Sequence, residues 1–257
     1  MRSRVPWYHH AAVVDFTAAL RAPAGVPLTT FSVFCYPRGQ RWWAFKNQGL
    51  ARRPLARVPG LTFSRLLGSG SGFSVVPDFS RYALLATWSS EQAADQFFAA
   101  DPLFTACHAR AAETWTVKLV PRQVRGAWTG RDPFLADARA PELPDDLPLV
   151  VLTRASLRLL ALPSFWSRAP AINRHILTAP GLRIALGVGE LPWIRPVTFS
   201  VWDGTTSMEQ FAFHGTAHHD AARTARARGW FKEDLFARFA AIASHGTLDG
   251  RDPCLAR

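Results

Sequence analysis

Among the eight histidines of this 257-residue chain, His218 has the neighbours that most invite chemistry. On a helix it shares a face with Ala221, Ala222 and Ala225, by the three-and-four spacing of helical neighbours. Imidazole binds metals and carries protons near neutral pH. A stripe of small side chains beside it lets a flat ring come close to the helix, where larger ones would hold it off. The same residues also describe a solvated histidine in a polar helical turn, and both readings stay open at this point. His219 falls on another face with Arg223 and Arg226 and reads as solvated. His175 (in AINRHI) reads as a ligand-facing group or as a histidine at the edge of a core, and His214 sits at a helix break. His9, His10 and His245 receive no role. Cys35, Cys107 and Cys254 are far apart, which excludes a CxxC metal site or a disulfide framework and fits a reducing compartment. The chain offers no evident buried acid–base pair, so no catalytic residue is assigned.

The elements that must position these residues come in two similar sets. Pro59-Gly60-Leu61 recurs as Pro180-Gly181-Leu182, 121 residues later. Trp88 recurs as Trp202, and Gln96-Phe97 as Gln210-Phe211, both at 114. Gly126 and Gly130-Arg131-Asp132-Pro133 recur as Gly246 and Gly250-Arg251-Asp252-Pro253, at 120. The drop of seven between the first two offsets is an insertion in the first half, and Gly68-Ser69-Gly70-Ser71-Gly72 lies in that interval. At the offset of 114, His218 corresponds to Phe104 (His108 lies one turn further on). One half alone therefore offers the histidine.

Period and composition predict strands at 28–36, 61–67, 82–88 and 115–120, with helices at 41–57 and 90–113, the second broken near Asp101-Pro102. The second set predicts strands at 149–153, 182–187, 197–202 and 235–242, with helices at 165–177 and 207–229. Each set is βαββαβ, the ferredoxin-like order. The expected fold is α+β: two such halves pair their sheets into an α/β barrel. The expected organisation is an N-terminal extension at 1–27, a first half at 28–140, a linker at 141–148 (PELPDDLP) and a second half at 149–257. The GRDP turns read as structural.

Thirty Lys and Arg against nineteen Asp and Glu give a net charge of +11, which favours anionic partners such as acidic lipids, carboxylates or phosphates. No zinc-finger spacing, RNA-binding signature or basic heptad region appears, which argues against nucleic acid. No apolar run approaches the roughly twenty residues of a membrane span, and no secretory leader is read. The expected location is cytoplasmic, with room for peripheral contact at the inner membrane. Ten tryptophans and eighteen phenylalanines suit a protein built around large apolar surfaces.

Several segments resemble the spheroidene monooxygenase family: WAFKNQG (43–49) with LARRPLARVPGL, the 68–72 glycines, 115–133 ending in GAWTGRDP, PWIRPVTFSVW (192–202) and AHHDAARTARARGWFKEDLFARF (217–239). The resemblance covers about residues 28–253. It implies a dimeric α/β-barrel haem protein that oxidises an acyclic carotenoid with dioxygen and electrons from a ferredoxin-type donor. Within it His218 matches the family's histidine ahead of the Arg-rich GWF segment, which makes it the expected iron ligand, one haem per chain. Arg174, Arg183, Arg195 and Arg223 become candidates for the haem propionates, with Arg195, between Ile194 and Pro196, preferred. Trp193, Phe199, Trp202, Phe213 and Trp230 become candidate pocket walls. Two other readings differ in class: a haem enzyme of other chemistry, oxidising or dehydrating a specialised metabolite, and a non-catalytic haem-binding or sensing barrel.

Overall fold

A computed structural model describes residues 20–23, 26–70, 76–134, 143–191, 193–214 and 228–255. The first half contributes strands β1 (Leu28–Cys35), β2 (Leu61–Gly70), β3 (Pro77–Trp88) and β4 (Glu113–Gly126). The second contributes β5 (Leu149–Leu157), β6 (Leu182–Gly189), β7 (Pro196–Trp202) and β8 (Phe231–Gly246). Neighbouring strands are antiparallel and close a barrel in the order β1-β3-β2-β6-β7-β5-β8-β4. Each half keeps the ferredoxin-like order within it. Helices α1 (Arg41–Leu50) and α2 (Arg52–Leu55) follow β1, while α3 (Glu91–Ala100) and α4 (Pro102–Arg110) follow β3. Their counterparts are α5 (Leu162–Trp166), α6 (Ala169–Leu177) and α7 (Thr205–His214).

Helices cover much of the barrel's outer face, so apolar side chains point to both sides of the strands. Along β1, Phe31 and Val33 enter the barrel, while Leu28 and Phe34 pack outward under the helices. The barrel interior is solid. Phe31 and Phe199 stack at its centre with ring centroids 3.9 Å apart, and Trp115, Trp128, Phe134 and Phe239 fill the space around them.

Local chemistry accounts for most boundaries. Ser90 caps α3 by accepting the N–H of Ala93, and Asp101 caps α4 by accepting those of Leu103 and Phe104, with Pro102 opening the helix. The expected helix at 41–57 divides at Ala51 into α1 and α2. The expected strands at 115–120 and 235–242 are both longer. They pair with each other across the halves, from Trp115↔Gly246 to Gly126↔Leu235. Pro121, which made a strand end plausible, sits at a register irregularity where its missing N–H does little harm. The 68–72 insertion begins inside a strand: Gly68 pairs with Gly189 at the short β2–β6 seam, and β2 and β3 outlast β6 and β7. The expected helix at 207–229 is described only as far as His214, and the expected extension and linker also fall partly outside the described residues.

The GRDP turns lock the halves together reciprocally. Glu233 of the second half accepts the N–H groups of Thr129 and Gly130. Glu113 of the first accepts those of Asp249 and Gly250, and the Thr247 hydroxyl. Within each turn the aspartate accepts a backbone N–H two residues on, Asp132 from Phe134 and Asp252 from Cys254. Burial alone would raise the carboxyl of Glu113, but the Gly250 N–H, the Thr247 hydroxyl and the Asp249 N–H outweigh it and hold it below its usual value of 4.5. A carboxylate lowered in this way stabilises the fold above its unfolded pKa, and the contribution fades as pH falls through the lowered folded value. The melting temperature should therefore decline with acid below about pH 4.5, and Glu113→Gln should show a shallower decline over the same window. Parallel curves for the two proteins would contradict this.

Gly126 and Gly246 enter these turns at φ +87° and +79°. A Cβ on Gly126 would lie 2.2 Å from the Asp234 carbonyl oxygen, and one on Gly246 would lie 2.1 Å from that of Thr114. Gly126→Ala should cost about 2 kcal/mol or more, read as a melting temperature lower by roughly 5 °C or as failure to fold. An unchanged melting curve would show that the seam tolerates what its geometry forbids.

A cavity on the outer face of the second half

The two halves differ most where helices cover the sheet. One row of side chains crosses the outer face of each sheet at equivalent positions. In the first half it runs Leu66–Leu84–Ser32–Thr116. In the second it runs Gly187–Thr198–Thr153–Phe236. Two leucines are thus replaced by a glycine and a threonine. Over the first row Phe97 and Phe104 close the layer and leave a void of about 20 Å³. Over the second opens a cavity of about 530 Å³, a volume of the kind that holds small ligands.

The cavity floor is the Gly187–Thr198–Thr153 row, whose two threonine hydroxyls hydrogen-bond each other. Ile172 and Ile176 of α6 and Phe211 of α7 form the wall facing the sheet. Phe165, Trp166, Trp230 and Phe231 close one end. At the other, Phe45, Val76 and Phe79 reach over from the first half. Leu191 and Trp193, on the β6–β7 connection, stand at the mouth, with Trp193 at φ +65° and its carbonyl accepting the Trp166 indole N–H at 2.9 Å. A bulky residue at positive φ is strained backbone, and here it carries a mouth residue.

The arginines on the cavity wall are Arg52, Arg154 and Arg168. Arg168 lies over the Trp230 ring, 5.1 Å from its centroid. Arg154 is buried, where Val33 stands in the first half. It pairs with Glu233 and, at 3.5 Å, with Glu190, which pairs with Arg65 at 2.7 Å. Its Nε has no hydrogen-bond partner among the described residues. Burial alone would raise the Glu233 carboxyl, but the N–H groups of Gly130 and Thr129, with Arg154 beside it, hold it down.

The residues singled out from sequence fall in different places. Trp193 and Trp230 line the cavity. Phe199 points the other way, into the barrel, because it lies one strand position from Thr198. Trp202 is buried between sheet and helix, its ring 5.2 Å from Phe211, one layer behind the wall, and its indole donates to Ser200. Arg195 is not among the residues that line the cavity; it lies between Trp193 and Pro196, which are, and its backbone N–H bonds to the Leu191 carbonyl. His175 stacks on Phe211 at 5.1 Å, with a buried Nε2 that has no hydrogen-bond partner among the described residues. Arg183 is committed to Asp203 and the Cys254 carbonyl. His218, His219, Ala221, Ala222, Arg223 and Ala225 lie outside the described residues, as does the side chain of Phe213. Of the described residues, Phe211 of α7 and Trp230 ahead of β8 line the cavity. Thr153, Thr198, Gly187 and Arg154 were not anticipated, although aligning the halves by their offsets exposes all four.

No protein-family model matches the chain. It is 36% identical over 231 residues to the spheroidene monooxygenase of Rhodobacter capsulatus, covering 89% of this chain and 95% of that protein. The chain belongs to the spheroidene monooxygenase family. The family's enzyme from Rubrivivax gelatinosus is 32% identical, with 90% of this chain and 88% of that one covered. Membership makes this chain an oxygenase. Among solved structures an aldoxime dehydratase superposes with a TM-score of 0.60 at 10% identity, covering 91% of this chain and 88% of that one, a likeness of fold.

Proposed function

We propose that this oxygenase is a haem-dependent monooxygenase that oxidises a long acyclic polyene, a carotenoid of the spheroidene type, using dioxygen and electrons from a ferredoxin-type donor. The observation that carries this is the cavity in the second half, large and apolar, where the same layer of the first half is filled. Haem, when bound, supplies the activation of dioxygen.

The walls present suit such a group. Phe104 lines the first-half void together with Leu66 and Leu84. His218 corresponds to Phe104, as Gly187 and Thr198 correspond to those leucines, so the ligand histidine and the emptied floor belong to one coordinated change. His218 would hold the iron, and Ala221, Ala222 and Ala225 would let the ring approach. Trp202 backs the wall through Phe211. Arg168 on the wall, and Arg195 next to the lining residue Pro196, are the arginines that would meet propionates with two-pronged contacts. Arg154, paired with Glu190 and Glu233 and lying over the Trp128 ring on the barrel side of β5, braces the sheet beneath the cavity floor. The apolar walls exclude water from the reacting carbon.

Incubating the haem-supplemented protein with spheroidene, a ferredoxin, its reductase and dioxygen tests this. The expected product carries a new oxygen derived from dioxygen. A protein that takes up haem but leaves the polyene unchanged would contradict the substrate class, and one that takes up no haem would contradict the cofactor.

A further inference from the structure

The mouth of the cavity is an exposed apolar surface. Phe45, Val76, Phe79, Leu191 and Trp193 line the cavity and are also between 44% and 57% exposed. Around them stand large apolar side chains that touch water still more. Trp42 is 67% exposed and stacks on Phe45, which meets Phe79 edge-on. Leu160 is 97% exposed, with Leu159 beside it, on the turn whose Arg158 N–H bonds to Trp230. Large apolar side chains left exposed at both ends of one cavity mark a surface meant to be covered.

Charge says by what. Residues 16–77 contain eight Lys and Arg and no Asp or Glu, the first-half acid that lines the cavity being Asp78 just beyond them. Residues 147–189 contain five and again none, the second-half acids that line the cavity being Glu190, which is paired with Arg65 and Arg154, and Asp234. Arg38, Arg41, Lys46, Arg52 and Arg53 are exposed on and beside α1 and α2, as is Arg158 next to Leu159. Tryptophan, phenylalanine and leucine projecting among arginines suit the interface of an anionic bilayer, where rings and leucines enter the acyl boundary and guanidinium groups meet phosphates. Among the described residues no helix is long and apolar enough to cross a membrane, so this would be attachment by one face.

We propose that the cavity mouth is a membrane-docking surface. Trp42, Leu159 and Leu160 insert into an acidic bilayer, while the arginines of α1, α2 and the β5–α5 turn hold its head groups. Docked in this way, the cavity opens into the lipid, and a long apolar molecule enters it without crossing water. That purpose rests on the function proposed above, but the surface itself does not. Attachment can be measured without haem or substrate, so the two readings can fail separately.

The test is co-sedimentation of the full chain with vesicles of phosphatidylcholine alone and with roughly a third phosphatidylglycerol. The wild type should bind only the anionic vesicles and be released by high salt. Trp42→Ala with Leu160→Ser, and separately Arg41→Glu with Arg53→Glu, should each weaken binding by about tenfold or more, with unchanged melting temperatures. Trp42→Phe should retain binding, since an interfacial ring remains. Binding equal to wild type in both double variants would overturn the proposal. So would sensitivity to the charge reversals alone, which would mean electrostatic adsorption to the head groups without apolar insertion.

Discussion

Replacing His218 by alanine is expected to abolish the Soret band of the haem-supplemented protein and to lower oxygenation by roughly a hundredfold or more. The melting temperature of the haem-free protein should stay within roughly 2 °C, because the first half folds with Phe104 at the corresponding position. The control is His175→Ala. His175 carries a buried, unpartnered Nε2 against Phe211, which lines the cavity wall. A spectrum lost in His175→Ala and kept in His218→Ala would move the ligand from the segment after α7 to α6. Absorption spectra of the two variants and the wild type decide it.

The second large effect should come from refilling the cavity floor. Thr198→Leu installs the residue that the first half carries as Leu84, on the same outward-facing position of the equivalent strand. The fold has already accepted a leucine there once, so melting should change little. The hydroxyl of Thr153 loses its partner but keeps access to cavity water, which limits the cost. Ligand affinity should fall by about 10- to 100-fold, since the side chain occupies space that the ring or the substrate needs. The reciprocal Leu84→Thr should leave ligand binding alone and destabilise the first half by about 2 kcal/mol, through lost packing against Phe97 and Phe104. Equal affinity in Thr198→Leu would mean that the ligand lies elsewhere.

Much of the architecture was legible because it is written twice. PGL, Trp, Gln-Phe and GRDP recur at nearly fixed offsets, and period-two runs such as LTTFSVFC mark the strands between them. What the sequence conceals is non-local. β4 and β8 exceed their expected lengths because they pair across the halves, and no window around Pro121 contains that information. Phe199 and Trp202 looked alike as aromatic strand residues. Only the register puts Phe199 in the barrel and Trp202 behind the cavity wall. The cavity itself arises from missing bulk at Gly187 and Thr198, and an absence is hard to see in one strand read alone. Arg154 is another such case: a lone charge in LVVLTRASL that becomes intelligible once Glu190 and Glu233 are seen beside it.

The most direct measurement is a haem titration of the purified chain followed at the Soret band. The cavity in the second half and the filled layer in the first, among the described residues, predict saturation at one equivalent per chain. A chain that develops no Soret band, or that saturates at two equivalents, would contradict the account.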